Sequence, residues 1–97
     1  MRILVTGSES FIGKTLISQL QTTGHEIIGF DSLESTNPTY EFHQIDIRNP
    51  EINKLIPRNT DVLIHLAALS RDSDCKNKAI ECFDVNVMGT LNLIKAT

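Results

Sequence analysis

The chain is 97 residues long, 40% apolar and 22% charged, with a formal net charge of −3. That length suits one domain burying roughly 60–70% of its unfolded surface, and the acidic balance gives no electrostatic ground for binding nucleic acid or an anionic membrane. No apolar run approaches the roughly 18–20 residues of a membrane span, and Met1-Arg2 leads into a strand without a secretory apolar region, so a cytoplasmic protein is expected.

Arg2 to Thr6, RILVT, is a continuous apolar run that stops at Gly7, as for a strand buried on both faces. From Phe11 to Gln21 the residues Ile12, Leu16, Ile17 and Leu20 follow helical spacing, and Gly24 closes the segment. HEIIGF reads as a second strand ending at Asp31, followed by the polar loop SLESTNPT. YEFHQI alternates weakly as a third strand and leads into DIRNPEINKLI, where Pro50 suits the first turn of a short helix. Asp61 to Ala68, DVLIHLAA, is a fourth strand, and a long helix runs from about Asn77 to the end. Strands alternating with helices imply parallel strands joined by right-handed crossovers, an α/β layered sheet without internal repeat.

The last helix carries two apolar stripes. Ile80, Phe83, Val87, Leu91 and Ile94 form one, and Cys82, Val85, Gly89, Leu93 and Ala96 repeat the spacing on the opposite face. Two stripes predict a helix sandwiched between the sheet and a further element. Cys75 and Cys82 match neither a metal-ligand pattern nor C-x-x-C, and free thiols in a reducing compartment are expected.

The stretch TGSESFIGKT between the first strand and first helix resembles a phosphate loop of two kinds. A P-loop needs four residues between its glycines, and Gly7 and Gly13 enclose five. Phe11 and Ile12 read as residues that pack the helix on the sheet, Lys14 as a solvated helix residue, and no Walker-B aspartate follows. The other reading fits better. Gly7, position 10 and Gly13 give G-x-x-G-x-x-G between strand and helix, with Asp31 ending the next strand. There a helix N-terminus holds a pyrophosphate, while the carboxylate takes ribose hydroxyls and repels a 2′-phosphate, favouring NAD over NADP.

RILVTGSESFIGKTL resembles the opening of the extended short-chain dehydrogenase/reductase family, the NAD-dependent nucleotide-sugar epimerases and dehydratases. The likeness continues in order through IIGFDSL, IDIRNP, DVLIHLAALS and DVNVMGTLNLIKA, and so covers essentially the whole chain. It implies a Rossmann-like sheet of four strands in the order 3-2-1-4 with flanking helices. Residues 1–97 then correspond to the N-terminal half of an NAD(P)-binding domain, without the fifth strand or the substrate domain. By the same resemblance, Gly7, Phe11, Ile12 and Gly13 frame the pyrophosphate turn, and Asp31 binds the adenosine ribose. Asp46 and Ile47 meet the adenine, the carboxylate accepting from its amino group. Leu66, Ala67 and Ala68 line the path toward the nicotinamide. Asn86 is expected to be structural, and His65 a hydrogen-bonded supporting residue rather than a base.

Ser10 departs from the family, which has Gly there. A Cβ in left-handed conformation costs roughly 1–2 kcal/mol, so a weakened but not abolished affinity for the cofactor is expected. The family's proton transfer relies on a Tyr-x-x-x-Lys pair. Here the single tyrosine, Tyr40, is followed four residues later by Gln44, and neither a catalytic residue nor a metal site is assigned. Two functions are therefore open: the cofactor-binding part of an enzyme acting on a nucleotide sugar, or a finished non-catalytic binding or assembly module. A homodimer is expected in either case. The fourth strand would be an unpaired edge, and the stripe of Cys82, Val85, Gly89, Leu93 and Ala96 matches a helix face that family enzymes use in dimer packing.

Overall fold

β1 (Arg2–Thr6), β2 (Glu26–Asp31), β3 (Glu41–Gln44) and β4 (Val62–His65) form one parallel sheet in the order β3-β2-β1-β4, as the sequence predicts. The structure, a computed structural model, describes residues 1–36, 38–69 and 75–97. Leu4 pairs with Ile28 and Leu63, and Ile3 with Ile27 and Val62. Because successive strand residues point to opposite faces, this register builds two cores. Ile3, Val5 and Ile27 meet Ile17 of α1 (Phe11–Thr22) on one face. Leu4, Ile28 and Phe30 pack with Ile47, Ile52 and Leu93 on the other, under α2 (Ile52–Leu55) and the last helix.

That helix begins at Ala79, two residues later than predicted, and runs on through α3 (Ala79–Phe83), a π turn (Asp84–Met88) and α4 (Gly89–Ala96). Its two faces are the reverse of the sequence expectation. Cys82, Gly89 and Leu93 are buried, with Val85 and Ala96 packed on the core, so the stripe assigned to a partner faces the sheet instead. The exposed stripe is Ile80, Phe83, Val87, Leu91 and Ile94. Gly89 is the physical reason, since a Cβ there would stand 2.7 Å from the Ile47 side chain. Only a face without a side chain at that point can come so close.

β4 is shorter than predicted and stops at His65. Its partner β1 ends at Thr6, and Gly7 turns away with φ 73°. The N–H of Leu66 still reaches the Thr6 carbonyl at 3.0 Å, but no β1 backbone remains for Ala67 and Ala68. Among the described residues β1 is the only strand paired with β4, whose other edge is open.

Cys75 and Cys82 are not the free thiols expected. They are joined as a disulfide, with Cα atoms 5.5 Å apart. A turn holding Asn77 at φ 59° folds the chain back ahead of α3, and that local reversal is invisible in the spacing of the cysteines.

Candidate functional site

In an open parallel sheet, ligands bind beyond the carboxyl ends of the strands, where the strand order reverses. Here that point is the end of β1, flanked by β2 and β4. A concavity of about 420 Å³ lies there, bordered by Gly7 and Ser10 after β1, Asp31 at the end of β2, Asp46 and Ile47 after β3, and Leu66, Ala67 and Ala68 after β4. Eight of the predicted site residues thus meet in one cleft. A larger trough of about 1010 Å³ follows the open edge of β4 and the last turn of α4. It is lined by none of the predicted cofactor-binding residues.

Gly7 begins the loop. A Cβ there would stand 2.8 Å from the Ala67 nitrogen, so the left-handed turn and the closeness of the β4 end both require glycine. Ser10 is the N-cap of α1 with φ −71° and ψ 164°. The left-handed strain expected at Ser10 therefore does not arise. Its hydroxyl donates to the Gly7 carbonyl at 2.7 Å and accepts from the Gly13 N–H at 3.0 Å, a cap made within the loop.

Phe11, Ile12 and Gly13 do not line the cleft with side chains. Phe11 and Ile12 are 88% and 65% exposed rather than packed on the sheet as expected. The buried face of α1 is set by Gly13 and Ile17, four apart, and residues one and two places before Gly13 fall outside it. What these residues offer is backbone. Among the described residues nothing accepts from the N–H of Phe11 or Ile12, at the positive end of α1.

Asp31 is buried at 9% exposure and is fixed by two backbone donors, the N–H of Glu9 at 2.8 Å and that of Leu33 at 2.9 Å. A carboxylate has about four acceptor positions, so two remain for a ligand. Asp46 is half-buried and accepts from the backbone N–H of Arg48 at 2.9 Å. The Arg48 guanidinium, hydrogen-bonded to it, holds its carboxyl below the usual carboxylate range. Behind this loop, Asn92 of α4 donates to the carbonyls of Ile47 at 2.7 Å and Asn49 at 2.9 Å.

The β4 wall is braced by polar side chains. The Thr6 hydroxyl accepts from the N–H groups of Leu66 and Ala67 at 3.1 and 3.2 Å. His65 spans the Thr6 and Thr90 hydroxyls, and Thr90 donates on to the Asn86 carbonyl at 2.7 Å. The Asn86 side chain grips Leu69 from both sides, accepting from its N–H at 2.8 Å and donating to its carbonyl at 2.9 Å. Both residues have the supporting positions expected of them.

Sequence reasoning missed Arg48 and Glu9. Arg48 borders the cleft, and the Asp-x-Arg spacing of Asp46 and Arg48 was the available signal. Glu9 turns away from the cleft, accepting from the Tyr40 hydroxyl at 2.6 Å and meeting the Lys14 ammonium at 3.6 Å. Burial pushes the Glu9 carboxyl up, but Tyr40, Ser35 and Lys14 together outweigh it and leave it below its ordinary value.

Comparison with known proteins agrees with this fold. UDP-glucose 4-epimerase of Mycolicibacterium smegmatis is 33% identical over 108 residues, covering 99% of this chain and 34% of that protein. dTDP-glucose 4,6-dehydratase of Neisseria meningitidis is 30% identical over 109 residues, covering 98% of this chain and 31% of the relative. The crystal structure of UDP-glucose 4-epimerase from Stenotrophomonas maltophila, with bound NAD and formylated UDP-arabinopyranose, superposes with a TM-score of 0.86. It is 29% identical, with 99% of this chain and 33% of that one covered. The chain spans about a third of the length of these relatives. The NAD dependent epimerase/dehydratase family matches residues 3–97, and the chain belongs to it.

Proposed function

We propose that residues 1–97 form the N-terminal half of an NAD-binding Rossmann domain from an oxidoreductase of the nucleotide-sugar epimerase or dehydratase type. The observation that carries the reading is the Asp31 carboxylate, held by two backbone N–H groups with two acceptor positions left at the cleft rim. Those positions suit the two hydroxyls of an adenosine ribose. The N–H groups of Phe11 and Ile12, without an acceptor among the described residues at the N-terminus of α1, suit the pyrophosphate. Ala67 and Ala68, next to Leu66, give a wall of small side chains along which a dinucleotide can run close to backbone. Bound NAD supplies a hydride acceptor at the nicotinamide.

The Tyr-x-x-x-Lys pair on which the family's proton transfer relies is not found in these 97 residues. Tyr40 is the single tyrosine, is followed by Gln44 where a lysine is needed, and donates its hydroxyl to Glu9 outside the cleft. The chain by itself is therefore not competent for the reaction, and the nucleotide sugar binds only where the remainder of such an enzyme is present. Self-association completes the reading, with the exposed stripe from Ile80 to Ile94 and the open edge of β4 as the surfaces that a second copy covers.

Calorimetry with NAD and NADP on the unmutated chain and on Asp31→Ala tests the cofactor assignment. NAD is expected to bind more tightly, and Asp31→Ala to remove that preference. Equal affinities in the unmutated chain would sink the role of Asp31.

A further inference from the structure

The Cys75–Cys82 disulfide fastens a stretch of chain that little else holds. Its Cα atoms are 5.5 Å apart and its two residues are separated by 7 positions in sequence. The turn between them carries Asn77 at φ 59°, and Lys78, the residue ahead of α3, makes no side-chain capping bond. Within α3, Cys82 is the one buried residue, while Ala79, Ile80, Glu81 and Phe83 are exposed. No residue of α3 belongs to either core. At its far end α3 gives way to the π turn, which breaks the α-helical ladder. A segment with so few buried contacts opens locally at low cost. The entropic effect of a cross-link is also least where the ring it closes is short. The disulfide therefore acts on α3 rather than on the sheet.

That segment stands at the cleft. Glu81 and Val85 border it together with Leu69. Sγ of Cys75 lies 3.4 Å from the Leu69 carbonyl, which also accepts from the Asn86 side chain at 2.9 Å. In the disulfide this sulfur has no hydrogen to give. As a thiol it has one, and the carbonyl is already within reach. The pair thus has a place at the rim in both oxidation states. The two sulfurs differ in access, since Cys75 is half-buried and Cys82 is 9% exposed. Access directs an attacking thiolate, so Cys75 is the sulfur attacked and Cys82 the one released.

Resting on the NAD reading above, we infer that Cys75–Cys82 is a thiol–disulfide exchange site for small thiols of the glutathione kind, whose oxidation state sets how tightly the cleft holds a dinucleotide. A thiolate attacks Cys75 Sγ, the S–S bond breaks, and Cys82 departs as a thiolate that takes a proton from water. A second thiolate attacks the small-molecule sulfur of the mixed disulfide and releases Cys75, which is protonated in turn. The protein gains two electrons and two protons, and two small thiols become their disulfide. The reverse reaction closes the pair. Once the pair is open, α3 frays, the rim beside Glu81 loosens, and dinucleotide binding weakens. By linkage, a bound dinucleotide favours the closed pair by the same factor.

The test measures NAD binding by calorimetry on the oxidised chain, on the chain reduced with dithiothreitol, and on Cys75→Ser. Alkylation and mass spectrometry count the free thiols in each. Reduction is expected to weaken NAD about fivefold or more, the lower range of couplings between sites. Cys75→Ser is expected to bind as the reduced chain does, with or without dithiothreitol. In glutathione buffers of stepped composition, saturating NAD should shift the midpoint toward the disulfide. Hydrogen exchange should quicken on reduction at Ala79–Phe83 while Leu4 and Ile28 keep their protection. Loss of protection at Leu4 and Ile28 as well would make the disulfide a staple of the whole fold and overturn the inference. So would a pair that no thiol reduces in the folded chain. Equal NAD affinities in the two oxidation states overturn it while leaving the NAD reading intact, and binding of NAD to neither form overturns both.

Discussion

The Thr6 hydroxyl lies 2.6 Å from Nδ1 of His65 while also accepting from the N–H groups of Leu66 and Ala67. With its acceptor positions filled, the hydroxyl has a proton to give, so Nδ1 accepts and the imidazole carries its hydrogen on Nε2, facing Thr90 at 2.9 Å. One side chain thus closes three bonds at the point where β4 leaves the sheet. Thr6→Val keeps the shape and removes all three. It is expected to cost about 1–3 kcal/mol in urea unfolding, whereas Thr6→Ser, which keeps the hydroxyl, should stay within about 1 kcal/mol.

The same network makes stability depend on pH in one direction. Burial pushes the His65 imidazole below its ordinary value. The unfolded chain then binds more protons than the folded one as pH falls through the ordinary histidine range, about 6.5. The contribution of His65 is complete above that pH and is lost as the pH drops through the folded value. Unfolding curves from pH 8 to pH 5 should show stability falling more steeply in the unmutated chain than in His65→Asn. Parallel curves would mean that His65 does not couple folding to protons.

The exposed helix stripe separates association from folding. If a second copy covers Ile80, Phe83, Val87, Leu91 and Ile94, then Phe83→Asp or Leu91→Asp should yield a folded monomer by sedimentation. Leu93 is 2% exposed, and Leu93→Asp buries a charge against the sheet, so it is expected to abolish the fold rather than the dimer. A dimer that survives Phe83→Asp and Leu91→Asp would instead implicate the open edge of β4.

Ser10→Gly should now have a small effect. The serine caps α1 with an ordinary extended backbone, and its hydroxyl is satisfied within the loop. Replacing an N-cap by Gly costs a few tenths of a kcal/mol, and dinucleotide affinity is expected to change by less than about threefold. A tenfold tighter complex in calorimetry would show that the serine Cβ obstructs the ligand after all.

The order of strands and the meeting of Gly7, Asp31, Asp46 and Ala67 were legible through the family resemblance, and Gly7 and Asp31 are marked in the sequence besides, as the points where apolar runs stop. The choice between the two helix stripes was not. Both have the same spacing, and only Gly89 distinguishes the face that must approach Ile47. The reach of β4 was overestimated for a related reason. LAA continues the apolar run, but a strand lasts only as long as its neighbour, and β1 ends at Thr6. Phe11 and Ile12 misled because apolar character was read as burial, whereas their position in the helical period turns them outward.

Asn86 and Asn92 stand on one continuous helix, across the junction between the π turn and α4. Asn86 grasps the chain beyond β4, and Asn92 grasps the chain beyond β3, strands at opposite margins of the sheet. The helix is thus a strut with a foot on each bank of the cleft. Helical rise sets the separation of its feet, and that rise is far stiffer than either loop. The gauge of the cleft is written not in the segments that border it but in the count of residues along a rod behind them.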